Sequence, residues 1–182
     1  METEMMIAIG VAAVAASLVA LVVLLGLRAR HQRNTTRTTE LRKVFGPEYE
    51  HVLAEQGRSG GEKDLIGRQE RADLEPVRSL STVEETRYKE NWAAAQVQFV
   101  GDPGAALATA DHLVGELIAA RGYPTAEFEA SANALSVDHP RVVQEYRAAH
   151  EVTLNNQRNP VPTEDLRGAM VHYGAVIAEM TR

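Results

Sequence analysis

From Met5 to Leu27 the chain runs 23 residues without a charged side chain, and six basic residues follow within the next sixteen: Arg28, Arg30, Arg33, Arg37, Arg42 and Lys43. As a helix rising about 1.5 Å per residue, the run reaches roughly 34 Å, enough to cross a hydrocarbon core of about 30 Å with modest tilt. A cleaved secretory signal is the competing reading. It requires a basic n-region, a shorter apolar core and a small-residue cleavage site behind that core. Here the n-region carries Glu2 and Glu4, and the small-x-small stretch Ala13 to Ser17 lies in the middle of the run. The pattern predicts a retained transmembrane helix over residues 5–27.

Positive charge beside a span is held on the cytoplasmic side. The basic residues flank the C-terminal end only, so residues 1–4 are expected outside and the bulk of the chain in the cytoplasm, as a single-pass protein of a plasma membrane. Within the span, Ala8, Ala12, Ala16 and Ala20 repeat every four residues, while Val11, Val14, Leu18, Leu21 and Leu25 form a bulky stripe on the other side. Small-xxx-small ridges allow two helix backbones to approach closely in lipid. The ridge is a candidate interface for a membrane-protein partner or a second copy of the chain.

Charge divides by segment. Residues 28–43 carry a net +5, and residues 44–182 a net −9. The juxtamembrane collar, with Arg28, Arg30, Arg33 and Arg37 leading, is suited to a bilayer with anionic headgroups, each charge contributing about 1 kcal/mol. The acidic body argues against nucleic acid as its ligand. The chain has no cysteine, which removes disulfides, thiol nucleophiles and cysteine-ligated zinc or iron–sulfur centres.

The rest reads as helix. Gly46-Pro47 separates a short helix capped at Thr39 from a second carrying Tyr49, Val52 and Leu53, and Gly57-Arg58-Ser59-Gly60-Gly61 reads as a flexible turn. Residues 62–75 form a strongly charged helix expected to be mostly solvated, closed by Pro76. Ser81 with Glu84 fits a capping box for a helix presenting Tyr88, Trp92, Ala95 and Phe99. Asp102-Pro103 starts a helix with Leu107, Ala110, Leu113, Val114, Leu117 and Ile118 inward, ended by Gly122. Thr125, Asp138 and Thr163 are the expected caps of three further helices. Residues 155–162 read as the longest loop, and Leu166, Met170, Tyr173, Ile177 and Met180 point inward from the last helix. No stretch shows sustained strand alternation. The expectation is therefore an all-α chain: a transmembrane helix over 5–27, a basic segment over 28–43, a charged helical segment over 44–76 and a compact helical bundle over 77–182.

The segments Phe45-Gly46-Pro47-Glu48-Tyr49, Val97-Gln98-Phe99-Val100 with Asp102-Pro103, Arg121-Gly122-Tyr123-Pro124, Ser136-Val137-Asp138-His139-Pro140 and Asp165 through Tyr173 resemble those of uncharacterised membrane-anchored proteins of high-GC Gram-positive bacteria. The resemblance covers most of residues 40–180. It implies a bacterial plasma membrane and a cytoplasmic helical domain, and it brings no reaction, cofactor or site residue.

Chemistry must come from the residues themselves. Glu48 and His51 have the Glu-x-x-His spacing of di-iron bundles, but such sites need a second copy and two more glutamates. Surface polar residues are the expected reading. His112 and Glu116, one turn apart, read as a solvated pair, and Asp138 beside His139 as a helix cap rather than an acid orienting a base. Gly60-Gly61-Glu62-Lys63 lacks the Gly-Lys-Ser/Thr ending of a phosphate loop and follows a helix rather than a strand. There is no Gly-x-Ser-x-Gly elbow, and no cofactor is expected. Two functional readings stand: a membrane-tethered interaction or scaffold module without catalysis of its own, and a ligand-binding or catalytic helical domain whose polar site is assembled from distant residues around His112, His139 and His172. An exposed apolar groove would favour the first and a closed polar pocket the second.

Overall fold

The computed structural model describes Leu24, Leu25, Arg28, residues 36–74 and residues 77–182. Among them every regular element is helical. The chain divides into two units between Glu40 and Leu41. In the N-terminal unit Leu24, Leu25, Arg28 and residues 36–40 are helical. The expected span over residues 5–27 lies outside the described residues apart from Leu24 and Leu25; among the described residues no helix is long and apolar enough to cross a membrane.

The second unit contains α1 (Pro47–Leu74), α2 (Thr82–Gly101), α3 (Pro103–Ala120), α4 (Phe128–Asp138), α5 (Val142–Arg158) and α6 (Thr163–Met180). The apolar helix α3 lies at the centre, packed against α2, α5 and α6. Its buried positions, Ala106, Leu107, Ala110, Leu113, Val114, Leu117 and Ile118, advance by three or four residues around a broad face. Opposite it, α6 buries Leu166, Ala169, Met170, Tyr173, Val176, Ile177 and Met180, which includes every position expected to face inward. Tyr88 and Ala95 of α2 are buried against this core, with Trp92 and Phe99 at its edge.

The turns follow their local chemistry. Ser81 and Glu84 form the reciprocal capping box, and Asp102 accepts from the backbone N–H of Ala105 with Pro103 as first residue of α3. Gly122 takes φ +91° where α3 must end. Arg121 Nη1 then donates to the carbonyl of Met180 at 2.9 Å, fastening the end of α6 to the end of α3.

Five expected helix boundaries move. Thr39 lies inside a helical stretch spanning 36–45. Helix α4 begins at Phe128, three residues after Thr125. Asp138 ends α4 rather than capping α5: its carboxylate is taken by the Tyr123 hydroxyl at 2.9 Å, and the next N–H, of His139, still bonds to Leu135. Helix α5 runs on through Arg158, so the polar residues 155–158 are an exposed helix end, and Thr163 is the first residue of α6, with Pro162 in the cap position.

The least expected element is α1. Gly57, at φ +70° and ψ 169°, breaks it into two arms, while residues 58–61 are already helical. The arms lie back to back, with Tyr49 donating to Glu62 at 2.9 Å and Gln56 reaching Asp64. They approach closely at Gly61, where an added Cβ would stand 3.2 Å from the Val52 carbonyl oxygen and 3.0 Å from Leu53 Cδ1. The hairpin buries a small core of its own, Leu41, Phe45, Tyr49, Val52 and Leu65, touched by Val137 of α4.

Candidate functional site

Three constellations stand out in the second unit, two polar networks and one surface hollow. The first joins the α1 hairpin to the bundle. Glu48 is fully buried, and its carboxylate accepts from Arg68 Nη1 at 2.9 Å, Gln144 Nε2 at 2.7 Å and Arg147 Nη2 at 3.3 Å. Arg68, itself buried, also donates to Asp64 at 2.7 Å and to Ser136 at 3.2 Å, while Arg147 reaches Glu129 at 2.6 Å. Burial opposes the charge on Arg147, but the hydrogen bond to Glu129 and the charge of Glu48 outweigh it and hold the guanidinium above its ordinary range. The expectation that Glu48 is a surface residue is therefore corrected. Its partners come from 20 and 99 residues away, a separation at which sequence spacing carries no signal.

The second network lies between α3, α5 and α6. Asp111 Oδ1 accepts from the Tyr173 hydroxyl at 2.5 Å and from His150 Nδ1 at 2.9 Å, and Thr153 Oγ1 stands 3.0 Å from the Tyr173 oxygen. The His150 ring stacks on Phe128 with centroids 3.9 Å apart. Burial raises the Asp111 carboxyl, yet the bonds from His150 and Tyr173 more than offset it and leave the group below its ordinary value. Burial and the facing Asp111 charge drive the Tyr173 phenol well above its own. The network orders three helix faces and resembles a catalytic pair only in its Asp–His contact.

The histidines considered for a dispersed polar site do not converge: His112 pairs with Glu116 at 3.8 Å with both side chains exposed, His139 with Glu179 at 3.6 Å, and His172 with Glu145. Among the described residues no three His, Asp or Glu side chains are grouped to hold a metal ion.

The third constellation is a shallow hollow of about 360 Å³, lined by both polar and apolar groups, where α2 lies beside α6. Trp92, Gln96 and Phe99 supply one wall at i, i+4, i+7, and Arg167, Met170, Val171 and Gly174 the other. Gly174 eases the approach: a Cβ there would stand 3.0 Å from Trp92 Cζ2, so the indole would have to give by a few tenths of an ångström. The Arg167 guanidinium lies 5.6 Å over the Phe99 ring, and its Nε meets Glu164 at 3.2 Å. Val171, in the wall of the hollow, is 68 % exposed, and Trp92 and Phe99 beside it are half-covered. Val100 and Val97 of α2 are exposed as well but do not line the hollow, Val97 standing about 160° around the helix from Phe99. Single exposed valines are ordinary on a protein surface. A half-covered tryptophan and phenylalanine beside an exposed valine are a feature of the kind that marks binding surfaces.

Of the residues expected to meet membrane, Ala8, Ala12, Ala16, Ala20, Arg30 and Arg33 lie outside the described residues. Arg28 and Arg37 are helical and exposed. Arg42, also in the basic segment, turns toward its own body, with its guanidinium 5.2 Å over the Tyr49 ring and 3.1 Å from Glu50. No protein-family model matches the chain, no curated protein is similar to it, and no solved structure matches it.

Proposed function

We propose that this chain is a membrane-tethered helical interaction module without catalysis of its own. Residues 5–27 form the anchor, with the Ala8, Ala12, Ala16 and Ala20 ridge as its intramembrane contact, and Arg28, Arg30, Arg33 and Arg37 rest among anionic headgroups. Residues 44–182 stand on the cytoplasmic side of a bacterial plasma membrane, where the α2–α6 face docks a membrane protein or a second copy of the chain. The observation that carries the reading is the Trp92–Phe99 hollow, left half-covered with the exposed Val171 in its wall. Contiguous apolar surface left in water costs solubility unless a partner covers it. The two buried networks are closed within the fold and support order rather than turnover.

A cysteine-free chain makes the test direct. Single variants Gln96→Cys and Val171→Cys, both in the wall of the hollow, with Glu151→Cys on the exposed face of α5 as control, are labelled with maleimide in native membranes. Protection of the first two, lost when the full chain is purified alone at low concentration, is the expected result, and Val171→Asp should release the partner without lowering the melting temperature. Equal labelling of all three in membranes would sink the reading. A reporter enzyme fused after Arg182 that is active only outside the cytoplasm tests the orientation; activity there would reverse it.

A further inference from the structure

A second cavity, of about 340 Å³, lies between the outer arm of α1, the loop after α3 and helix α4. Its apolar wall is made of small side chains, Ala72 and Val77 on one side and Pro124, Ala130 and Ala134 on the other. Small residues on both faces leave the gap unfilled, a pocket at the lower end of the size range that holds organic ligands.

The polar groups in the wall are unequal. Arg68 is committed to Glu48, Asp64 and Ser136, and Asp138 accepts from Tyr123. Asn133 uses its carbonyl oxygen for Arg147, and a primary amide carries two N–H donors besides. Arg71 differs from all of them. Among the described residues its guanidinium makes no ion pair or hydrogen bond, and it lies against Gly67, where an added Cβ would stand 3.4 Å from Nη1. An exposed guanidinium without a partner among the described residues therefore borders an apolar pocket, and guanidinium matches a planar carboxylate with two parallel hydrogen bonds.

We propose that this cavity binds a small amphipathic carboxylate, with its anionic head on Arg71 and its apolar body against Ala72, Val77, Ala130 and Ala134. The site is separate from the α2–α6 face and does not depend on what docks there.

The probe is 3-phenylpropionate, a carboxylate small enough for the pocket, titrated into the full chain in lipid nanodiscs and followed by backbone amide chemical shifts. Protein-free nanodiscs correct for partitioning into lipid. Saturable shifts should centre on Ala72, Gly122 and Ala134. Arg71→Gln should weaken binding about fivefold, the scale of one partly exposed charge-assisted contact. The neutral 3-phenylpropionamide should bind weaker than the acid by the same factor, a difference that Arg71→Gln erases. Ala134→Trp, which fills the cavity, should abolish the shifts; Ala130→Leu serves if that variant does not fold. Shifts that never saturate, shifts scattered over the surface, or binding that survives a folded cavity-filling variant would overturn the proposal.

Discussion

Glu48→Ala is the sharpest test of how the α1 hairpin is held. The carboxylate is fully buried and accepts three hydrogen bonds, at 2.7, 2.9 and 3.3 Å, two of them from arginines. Removing it leaves two guanidinium groups facing a void. Breaking a buried ion pair by deleting one partner costs about 3–5 kcal/mol, because the surviving charge stays desolvated. Each arginine here keeps a second acid, Arg68 at 2.7 Å from Asp64 and Arg147 at 2.6 Å from Glu129. The retained partners place the loss near the lower end, about 3 kcal/mol. Glu48→Gln preserves shape and one acceptor while removing charge, and should cost less than the alanine.

The measurement is urea unfolding of the full chain in mild detergent, paired with amide hydrogen exchange. The exchange data separate local undocking from global unfolding, because only the former lowers protection in α1 alone. Faster exchange confined to residues 61–68 is the expected signature. The pairwise replacement Glu48→Met with Arg68→Met removes the buried pair as a unit, and should cost less than the sum of its single changes. Single variants that lose under about 1 kcal/mol, or a strictly additive pair, would refute the assignment of docking strength to this network.

Other expectations follow from the same geometry. Gly174→Ala should destabilise by about 1 kcal/mol, since steric conflict with Trp92 exceeds the gain in helix propensity; the fluorescence of the single tryptophan should shift with it, and a net stabilisation would contradict the close approach. Ser81→Ala should cost about 1 kcal/mol in thermal or urea unfolding by removing the capping box, and it should also relax Glu84, whose carboxyl is held at about 2 by Arg78 and by the Ser81 backbone and hydroxyl. Because that folded value lies below the ordinary one, the contribution of Glu84 is present above about pH 4.3 and fades as pH falls toward 2, which carboxyl NMR titration reads directly. Tyr173 and Tyr146 are raised, chiefly by burial, so the folded state keeps protons that the unfolded state releases above about pH 10. Stability should accordingly drop as pH rises through 10, by up to about 1.4 kcal/mol per pH unit for each tyrosine, and Tyr146→Phe should flatten the slope in pH-dependent urea melts.

Helices whose burial is decided along a single face were legible in the sequence. The α3 and α6 stripes repeat at helical spacing, so their inward residues could be read directly, as could the caps at Ser81 and Asp102, where the bonds span only three residues. Asp138 misled because an aspartate ahead of a proline fits a cap, while the nearby Tyr123 hydroxyl, which the fold brings to it, competes for the same oxygen. Residues 62–75 misled for a related reason. Their density of charge suggested a solvated helix, yet Leu65 and Arg68 are buried, and the neutralising acid for Arg68 lies on the other arm of a hairpin. Asp111, His150 and Tyr173 were unreadable because they come from three helices, and no local spacing links them. The α2–α6 face was half visible: the Trp92 stripe could be read, but its incomplete cover depends on the glycine at 174.

Arg68 belongs both to the Glu48 network and to the wall of the α1–α4 cavity, and this shared membership couples the two. The cavity exists only while the second arm of α1, residues 58–74, is docked, since Arg68, Arg71 and Ala72 of that arm line it. A carboxylate that binds the docked arrangement and not the undocked one must stabilise docking by RT ln(1 + [L]/Kd), about 2.7 kcal/mol at a hundred times Kd. The converse holds as well. If Glu48→Ala leaves only a fraction of molecules docked, the apparent Kd for 3-phenylpropionate rises by the inverse of that fraction, although Glu48 does not line the cavity. The docked fraction from hydrogen exchange and the weakening from titration should therefore agree across Glu48→Ala, Glu48→Gln and Glu48→Met with Arg68→Met. Glu48 variants that undock the arm yet bind the probe with unchanged affinity would separate cavity from hairpin and break the coupling.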